Sequence, residues 1–273
     1  MKKSLLIMLM IFTSTYTFSQ VIDTKDYDKY NIETLPVLFV APESEINNIK
    51  EELATLATGY WLNENFKIVT NEEAKAALKN KENVVIAEFQ GCSYTNTGIS
   101  TGRSVNRFVL EYKRKTILSL LIEDQIGKAD VVYALKTAQF LIQNRHKFKN
   151  PYTWKESPKY FGQQLKQKTL LVPQEYLDKM TADDIKAVYP YPFEVVDEST
   201  ITEKVLSGSD EYLAINFGNY LWTDGKTSSM KIVYSINDGS IVTYSMAKIS
   251  FGSSASGHTL KDKDFEMFVK EIE

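Results

Sequence analysis

Two copies of one order of predicted strands and helices fill this chain, and this repetition limits its possible folds more than any other feature. Each copy opens on a short apolar run closed by a proline, at 37–40 before Pro42 and at 170–172 before Pro173. Such a run predicts a buried strand, and the proline suits the first turn of a following helix. The pattern therefore predicts an α/β protein.

The later elements recur with nearly the same spacing. In the first copy Phe89 lies 23 positions after Phe66, and in the second copy Phe217 lies 24 positions after Phe193. Each interval holds a strand, a polar helix start, a short helix and the beginning of another strand. Two more strands and a closing helix follow in each copy, and the Asn-Asp-Gly sequence at 237–239 predicts a hairpin in the second.

The repetition predicts an α/β fold of two tandem β-α-β-α-β-β-β-α repeats, each with a mixed sheet in the α+β manner. The expected bounds are 34–148 and 169–273, joined by a basic aromatic linker at 149–168 and preceded by an N-terminal tail at 20–33. The alternative is that any two stretches of an α/β protein look alike when compared loosely. The matched order of eight elements favours duplication.

Residues 1–19 have the three-part plan of a secretory signal peptide. Two lysines precede eight apolar residues at 5–12, and Thr17 and Ser19 supply the small residues that signal peptidase needs. The apolar run is far shorter than the ~20 residues of a membrane-spanning helix, which argues against the alternative of an uncleaved anchor. We expect cleavage between Ser19 and Gln20 and a periplasmic or secreted protein without a transmembrane segment.

Composition excludes several classes of function. The net charge of −3 gives no reason to expect a nucleic-acid partner. The single cysteine, Cys92, excludes an intrachain disulfide, and two histidines with one cysteine are too few for a usual zinc site. We therefore expect no metal, no cofactor, and a fold stabilised by burial of its core.

Two loops and the cysteine are the catalytic candidates, and none of them fits its motif. The stretches at 98–104 and 225–227 are similar to a phosphate-binding loop. The first, however, is one residue short with arginine in place of lysine, and the second lacks the leading glycine. Cys92 follows a strand, but a thiolate nucleophile needs a base, and only His146 and His258 are available. No catalytic residues are therefore predicted, and an inert cysteine is preferred.

Three stretches of the second copy carry a resemblance to a known module. They are Phe-Glu-Val-Val-Asp at 193–197, Glu-Tyr-Leu-Ala-Ile-Asn-Phe at 211–217 and Lys-Ile-Val-Tyr-Ser-Ile-Asn-Asp-Gly-Ser-Ile-Val at 231–242. Their run of strand, acidic turn, helix, strand and hairpin resembles the amino-terminal α/β domain of TolB and related envelope proteins. The resemblance covers about 70 residues per copy, and no propeller follows it here, unlike in TolB. It implies a protein-interaction module of the envelope rather than an enzyme.

The link between the copies carries a strong excess of positive charge. From Arg145 to Lys168, seven cationic residues stand against the single acid Glu156, with aromatic residues interleaved. Cations beside aromatic faces suit acidic glycans or anionic lipid headgroups. The alternative is a solvated connector whose aromatic residues pin it to the two halves. If the link binds a polymer, the expected contacts are Lys149, Trp154, Lys155 and Lys159.

Together these patterns predict an exported, non-catalytic binding or scaffold protein of the bacterial cell envelope, with a protein or an acidic surface polymer as its partner. The alternative is an exported hydrolase whose active site no motif marks. A deep cleft holding carboxylates with raised pKa would favour the hydrolase. A flat apolar patch or an open sheet edge would favour binding.

Overall fold

The computed structural model describes residues 21–22, 32–41, 49–61, 64–96, 99–123, 126–148, 152–221, 227–246, 259–270 and 272. Its strands are β1 (Val21–Ile22), β2 (Val37–Val40), β3 (Phe66–Val69), β4 (Val85–Asn96), β5 (Ile99–Tyr112), β6 (Lys115–Ile122), β7 (Tyr152–Thr153), β8 (Thr169–Pro173), β9 (Phe193–Val196), β10 (Tyr212–Leu221), β11 (Thr227–Ser235) and β12 (Ile241–Met246).

The α-helices of the same ranges are α1 (Ile49–Tyr60), α2 (Asn71–Lys79), α3 (Lys128–Asn144), α4 (Ser157–Phe161), α5 (Ala182–Val188), α6 (Glu198–Ser207) and α7 (Asp262–Lys270). Short 3-10 helices cover Ile32–Thr34, Arg145–Lys147, Trp154–Glu156, Gly162–Lys166 and Gln174–Tyr176. None of the helices described here is long and apolar enough to cross a membrane.

The strands form two sheets that share one internal order. Sheet 1 has seven strands in the order β3-β2-β4-β5-β6-β1-β7, and sheet 2 has five in the order β9-β8-β10-β11-β12. In each sheet the first three strands are parallel, and the remaining neighbours are antiparallel. The predicted tandem mixed-sheet repeat is confirmed, and the first sheet carries the two short strands β1 and β7 as an addition.

Strand register repeats as well. Val37 of β2 opposes Phe66 of β3, and Leu170 of β8 opposes Phe193 of β9. The first residues of β3 and β9 therefore hold the same place in their sheets. Each of these two edge strands has four residues, of which the second is exposed and the other three are partly buried.

Each copy has a β-bulge at the same place in its antiparallel hairpin. The register shifts directly after Leu110 in β5 and directly after Val233 in β11, in each case two residues before the strand ends. A bulge inserts one extra residue on one strand and locally increases the twist. The turn predicted at 237–239 joins β11 to β12, with Gly239 at a φ of 75°.

The helices cover the two sheets in matching ways. Helices α1 and α3 pack on one face of sheet 1 and α2 packs on the other. Helices α5 and α7 pack on one face of sheet 2 and α6 packs on the other. Successive strand residues point to opposite faces. Phe39 therefore joins the core under α1 and α3, while Val40 joins the smaller core under α2.

Helix α3 closes the first copy and at the same time joins the second. Its apolar residues are buried around most of its circumference, as a helix between two layers requires. The ring of Tyr133 packs 4.6 Å from the ring of Tyr234 in β11. Lys136 Nζ donates to the carbonyl of Ile236 at 2.7 Å, and Thr137 Oγ1 donates to that of Gly239 at 2.9 Å. One hydrophobic core therefore runs through both copies.

Two predicted elements have different bounds in the structure. The Gly/Ser/Thr/Asn stretch after 84–89 is expected as a loop, but β4 and β5 pair through it, with Cys92 opposite Val105. Antiparallel neighbours can extend in this way, because strand pairing satisfies the backbone N–H and C=O groups whatever the side chains are. In the second copy Pro173 ends β8, and α5 begins only after Thr181, whose side chain forms a capping box with Asp184.

Candidate functional site

The basic link folds into a strap, defined here as residues 152–168. β7 pairs with β1 of sheet 1, and α4 with its neighbouring 3-10 helices packs beside β12 of sheet 2. Ser157 and Leu165 are completely buried. A Cβ on Gly162 would lie 2.2 Å from Cγ2 of Ile272, so the backbone of the strap packs directly against the carboxyl-terminal segment. The strap is therefore a folded part of the protein.

An aromatic cluster anchors the strap to both copies. Phe161 packs against the core of the first copy and that of the second. Its ring centroid lies 5.1 Å from that of Phe140 and 6.1 Å from that of Phe148. Tyr160 contacts Phe148 with a centroid distance of 5.4 Å and remains 42% exposed. These contacts fix the position of the outer side of the strap.

The residues predicted to bind a polymer are only partly described. Lys155 and Lys159 are exposed, in the 3-10 helix Trp154–Glu156 and in α4. Lys149 and the side chain of Trp154 lie outside the described part of the chain. The structure therefore places two lysines of the predicted set four positions apart, on the solvent side of an anchored segment.

Several cations of the link contact groups within the protein. Arg145 forms a salt bridge with Glu33. Lys168 Nζ lies 2.6 Å from Asp210 Oδ1, and Lys166 Nζ lies 5.9 Å from the ring centroid of Tyr191. These pairings reduce the charge that the link offers to a partner.

A second cluster, the acidic junction, lies where the two copies meet. It joins residues of separate elements, namely Glu123, Asp130, Glu175, Tyr176 and Glu198. Tyr176 Oη donates to Glu123 Oε1 at 3.1 Å, and the backbone N–H of Glu198 donates to Glu175 Oε1 at 3.1 Å. Both bonds connect segments that are distant in the sequence.

The acidic junction lies at a point of sheet 2 where binding sites often form. Tyr176 follows the carboxyl end of β8, and Glu198 follows that of β9. β9 lies on one side of β8 and β10 on the other, so the chain reverses direction across the sheet at this point. Ligands of open α/β sheets bind at such switch points. Among the described residues, no three or more acidic, histidine or cysteine side chains could hold a metal ion together.

Burial and like charges shift the ionisation of this cluster. The pKa of Asp130 is raised to about 7, mainly by burial; the hydrogen bond from the backbone of Gly127 lowers it, and the charges of Glu123 and Glu198 add to the rise. Burial also raises the pKa of Glu198, together with the charges of Glu123 and Glu175. A carboxyl group with a raised pKa can hold and release a proton near neutral pH.

Asp264 occupies in α7 the position that Asp130 occupies in α3. Each is the third residue of its helix. Oδ2 of each accepts a hydrogen bond from the backbone N–H three residues earlier, at 2.8 Å from Gly127 and 3.0 Å from Lys261. This contact satisfies one of the donors that every helix start leaves unpaired.

The two aspartates differ in their partners. Oδ1 of Asp264 lies 3.4 Å from Lys231 Nζ and accepts a hydrogen bond from Ser245 Oγ. By strand pairing, Phe108 and Leu120 hold the corresponding positions in the first copy, and both are completely buried. The first copy therefore has the capping aspartate without the lysine that neutralises it in the second.

The sequence analysis missed the acidic junction and found other candidates. Cys92 has its backbone in the middle of β4, and His146 lies in the 3-10 helix after α3. His258 and the glycines Gly98 and Gly225 of the two loops lie outside the described residues. No spacing along the chain marks the junction, because its residues come from separate loops and helix starts.

The strap and the acidic junction are the two candidate sites that we consider in the described part of the chain. Comparison with known proteins adds no relative to this description: no protein-family model, no curated protein and no solved structure matches the chain.

Proposed function

We propose that this chain is an exported, non-catalytic binding or scaffold protein of the bacterial cell envelope. Its partner is a protein or an acidic surface polymer, and its contacts are Lys149, Trp154, Lys155 and Lys159. The signal-like plan of residues 1–19 and the resemblance to the envelope module of TolB support this proposal. The observation that carries it is the strap, which buries its apolar side between the copies and leaves Lys155 and Lys159 exposed.

An anchored strap suits the binding of a polyanion for a physical reason. A flexible loop loses conformational entropy when it binds, whereas a segment already held by buried side chains loses little. Lysine side chains act over a distance set by screening, about 8 to 10 Å at physiological salt. The contact is therefore mainly electrostatic, weak for each charge, and reduced by added salt.

Replacing Lys149, Lys155 and Lys159 together by serine should abolish binding to an acidic envelope polymer. Each substitution removes one cation from the contact, and the buried side of the strap is untouched, so the melting temperature should stay nearly unchanged. Binding of the mature chain to purified teichoic acid or acidic lipopolysaccharide core, measured by calorimetry at low and high salt, checks this expectation.

A triple variant elsewhere on the surface is the matched control. Lys67, Lys75 and Lys79 are exposed on β3 and α2 of the first copy. Their replacement by serine removes the same net charge, and it should leave most of the binding intact. Equal losses in the two triple variants would show a non-specific charge effect. A large drop in melting temperature of the strap variant would show that its lysines are structural.

An exported hydrolase is the second candidate, and the acidic junction is the observation that favours it. Asp130 and Glu198 both have a raised pKa, and a carboxyl group needs a raised pKa to act as a general acid near neutral pH. Fluorogenic ester, glycoside and peptide substrates at several pH values test this role. Activity lost in Asp130→Asn, with the fold retained, would favour the enzyme.

A further inference from the structure

Asn216 of β10 is a buried amide at the inner end of the acidic junction. It is 4% exposed, and its Nδ2 donates to Oδ1 of Asp130 in α3 at 3.0 Å. Its own Oδ1 is buried and has no hydrogen-bond partner among the described residues. Because the two ends of an amide group share one carbon atom, this oxygen lies beside the carboxyl group of Asp130. A buried acceptor without a donor costs free energy, so a ligand that donates to it would be stabilised there.

The backbone around Asn216 holds this oxygen in a fixed place. β10 pairs with β8 in a parallel register that, when continued, brings Asn216 level with Pro173, the last residue of β8. The amide therefore lies at the carboxyl end of the parallel strands, where ligands of open α/β sheets bind. A Cβ on Gly218 would lie 3.0 Å from Cβ of Leu121 in β6, so the two copies are in close contact beside this point.

The charged side chains that act on Asp130 are themselves carboxyl groups. The charges of Glu123 and Glu198 raise the pKa of Asp130, and the charge of Glu175 raises that of Glu198. The cation Lys128, two residues before Asp130, pairs with Glu52 of α1 at 2.8 Å. Asp130 and Glu123 are half-buried, whereas Glu175 and Glu198 are exposed, so the junction is open to solvent on its outer side.

We propose that the acidic junction binds a small organic ammonium ion, with one ammonium group between Oδ1 of Asn216 and the carboxylate of Asp130. An ammonium group has three N–H donors and no acceptor, so it can donate to the amide oxygen and to carboxylates at the same time. Its positive charge offsets the repulsion among the carboxyl groups. In the described part of the chain these groups are not gathered as metal ligands, which favours an organic cation.

The shape of the junction favours a ligand with two ammonium groups. The inner group would contact Asn216 and Asp130, and the outer group would lie nearer the exposed Glu175 and Glu198. A diamine should therefore bind more tightly than a monoamine of the same length. This site shares no residue with the strap and attracts the opposite charge, so it is independent of the proposed polymer contact.

Calorimetric titration of the mature chain with 1,4-diaminobutane at pH 8 and constant ionic strength tests the proposal. This pH is above the raised pKa of Asp130, and alkyl amines are still protonated. We expect saturable binding that also shifts the side-chain amide signal of Asn216 in nuclear magnetic resonance, with weaker binding of butylamine. No saturable binding up to about 10 mM diamine, or tighter binding of Mg²⁺, would overturn the proposal.

Two substitutions on helix α6 locate the site. Glu198→Gln removes a charge from the junction, and Glu203→Gln removes one from an exposed position outside it. Glu198→Gln should weaken diamine binding about threefold and Asp130→Asn at least about tenfold, whereas Glu203→Gln should leave it unchanged. The triple strap variant should also bind the diamine like the wild type. Equal losses in the two glutamate variants, or wild-type affinity in folded Asp130→Asn, would contradict the ammonium site.

Discussion

Gly239→Ala should lower the free energy of unfolding by at least about 3 kcal/mol. The residue has a φ of 75°, in the left-handed region that side chains other than glycine disfavour. An added Cβ would lie 2.4 Å from the backbone nitrogen of Thr137 and 2.5 Å from the carbonyl carbon of Lys136. Backbone atoms of a helix cannot rotate away, so α3 and the β11–β12 turn would have to separate.

Gly59→Ala is the matched control for this effect. Gly59 lies in α1, and a Cβ there meets no heavy atom within 4 Å. Alanine should therefore stabilise the protein, by about 0.5 kcal/mol, because it favours the helical backbone. Urea unfolding of both variants gives the comparison. A loss below about 1 kcal/mol in Gly239→Ala would mean that α3 does not dock tightly on the second copy.

Asp264→Asn should destabilise the protein by about 3 to 5 kcal/mol, because it leaves the charge of Lys231 buried without its partner. Lys231 is 3% exposed and Asp264 is 5% exposed, so solvent cannot replace the lost contact. Lys231→Met should be similarly destabilising, since it leaves the aspartate uncompensated. Urea unfolding at neutral pH measures both losses.

The double variant Lys231→Met with Asp264→Asn separates the pair from other effects. Neither charge remains in it, so its loss should be clearly smaller than the sum of the two single losses. Additive losses would show that the two side chains do not interact. Asp130→Asn is an informative comparison, because the corresponding aspartate has no lysine at its side. That substitution leaves no lysine without its partner, so it should cost less stability than Asp264→Asn.

Local patterns in the sequence were enough to predict the duplicated fold. The apolar runs at 37–40 and 170–172 become central parallel strands, and Asn-Asp-Gly at 237–239 becomes the turn between β11 and β12. Each of these signals lies within a few adjacent residues. The extension of β4 and β5 gave no such signal. Pairing there depends on the neighbouring strand, and polar side chains in it carry no periodicity that marks a buried face.

The candidate sites were predictable only in part, for a related reason. The cations of the link are adjacent in the sequence, so composition alone marks Lys155 and Lys159. The acidic junction depends on how the second copy docks on α3, which brings Asp130 beside Asn216 across 86 positions. The absence of a lysine beside Asp130 also becomes visible only when strand pairing aligns Phe108 with Lys231.

The most direct test of the proposed function is the state of the protein in its own cells. After gentle lysis, the envelope fraction should hold the chain at low salt and release it at about 0.5 M salt, where screening shortens to a few ångströms. The intact mass of the released protein should correspond to a chain beginning at Gln20. A cytoplasmic protein that retains residues 1–19, or an envelope association that salt does not weaken, would contradict the proposal.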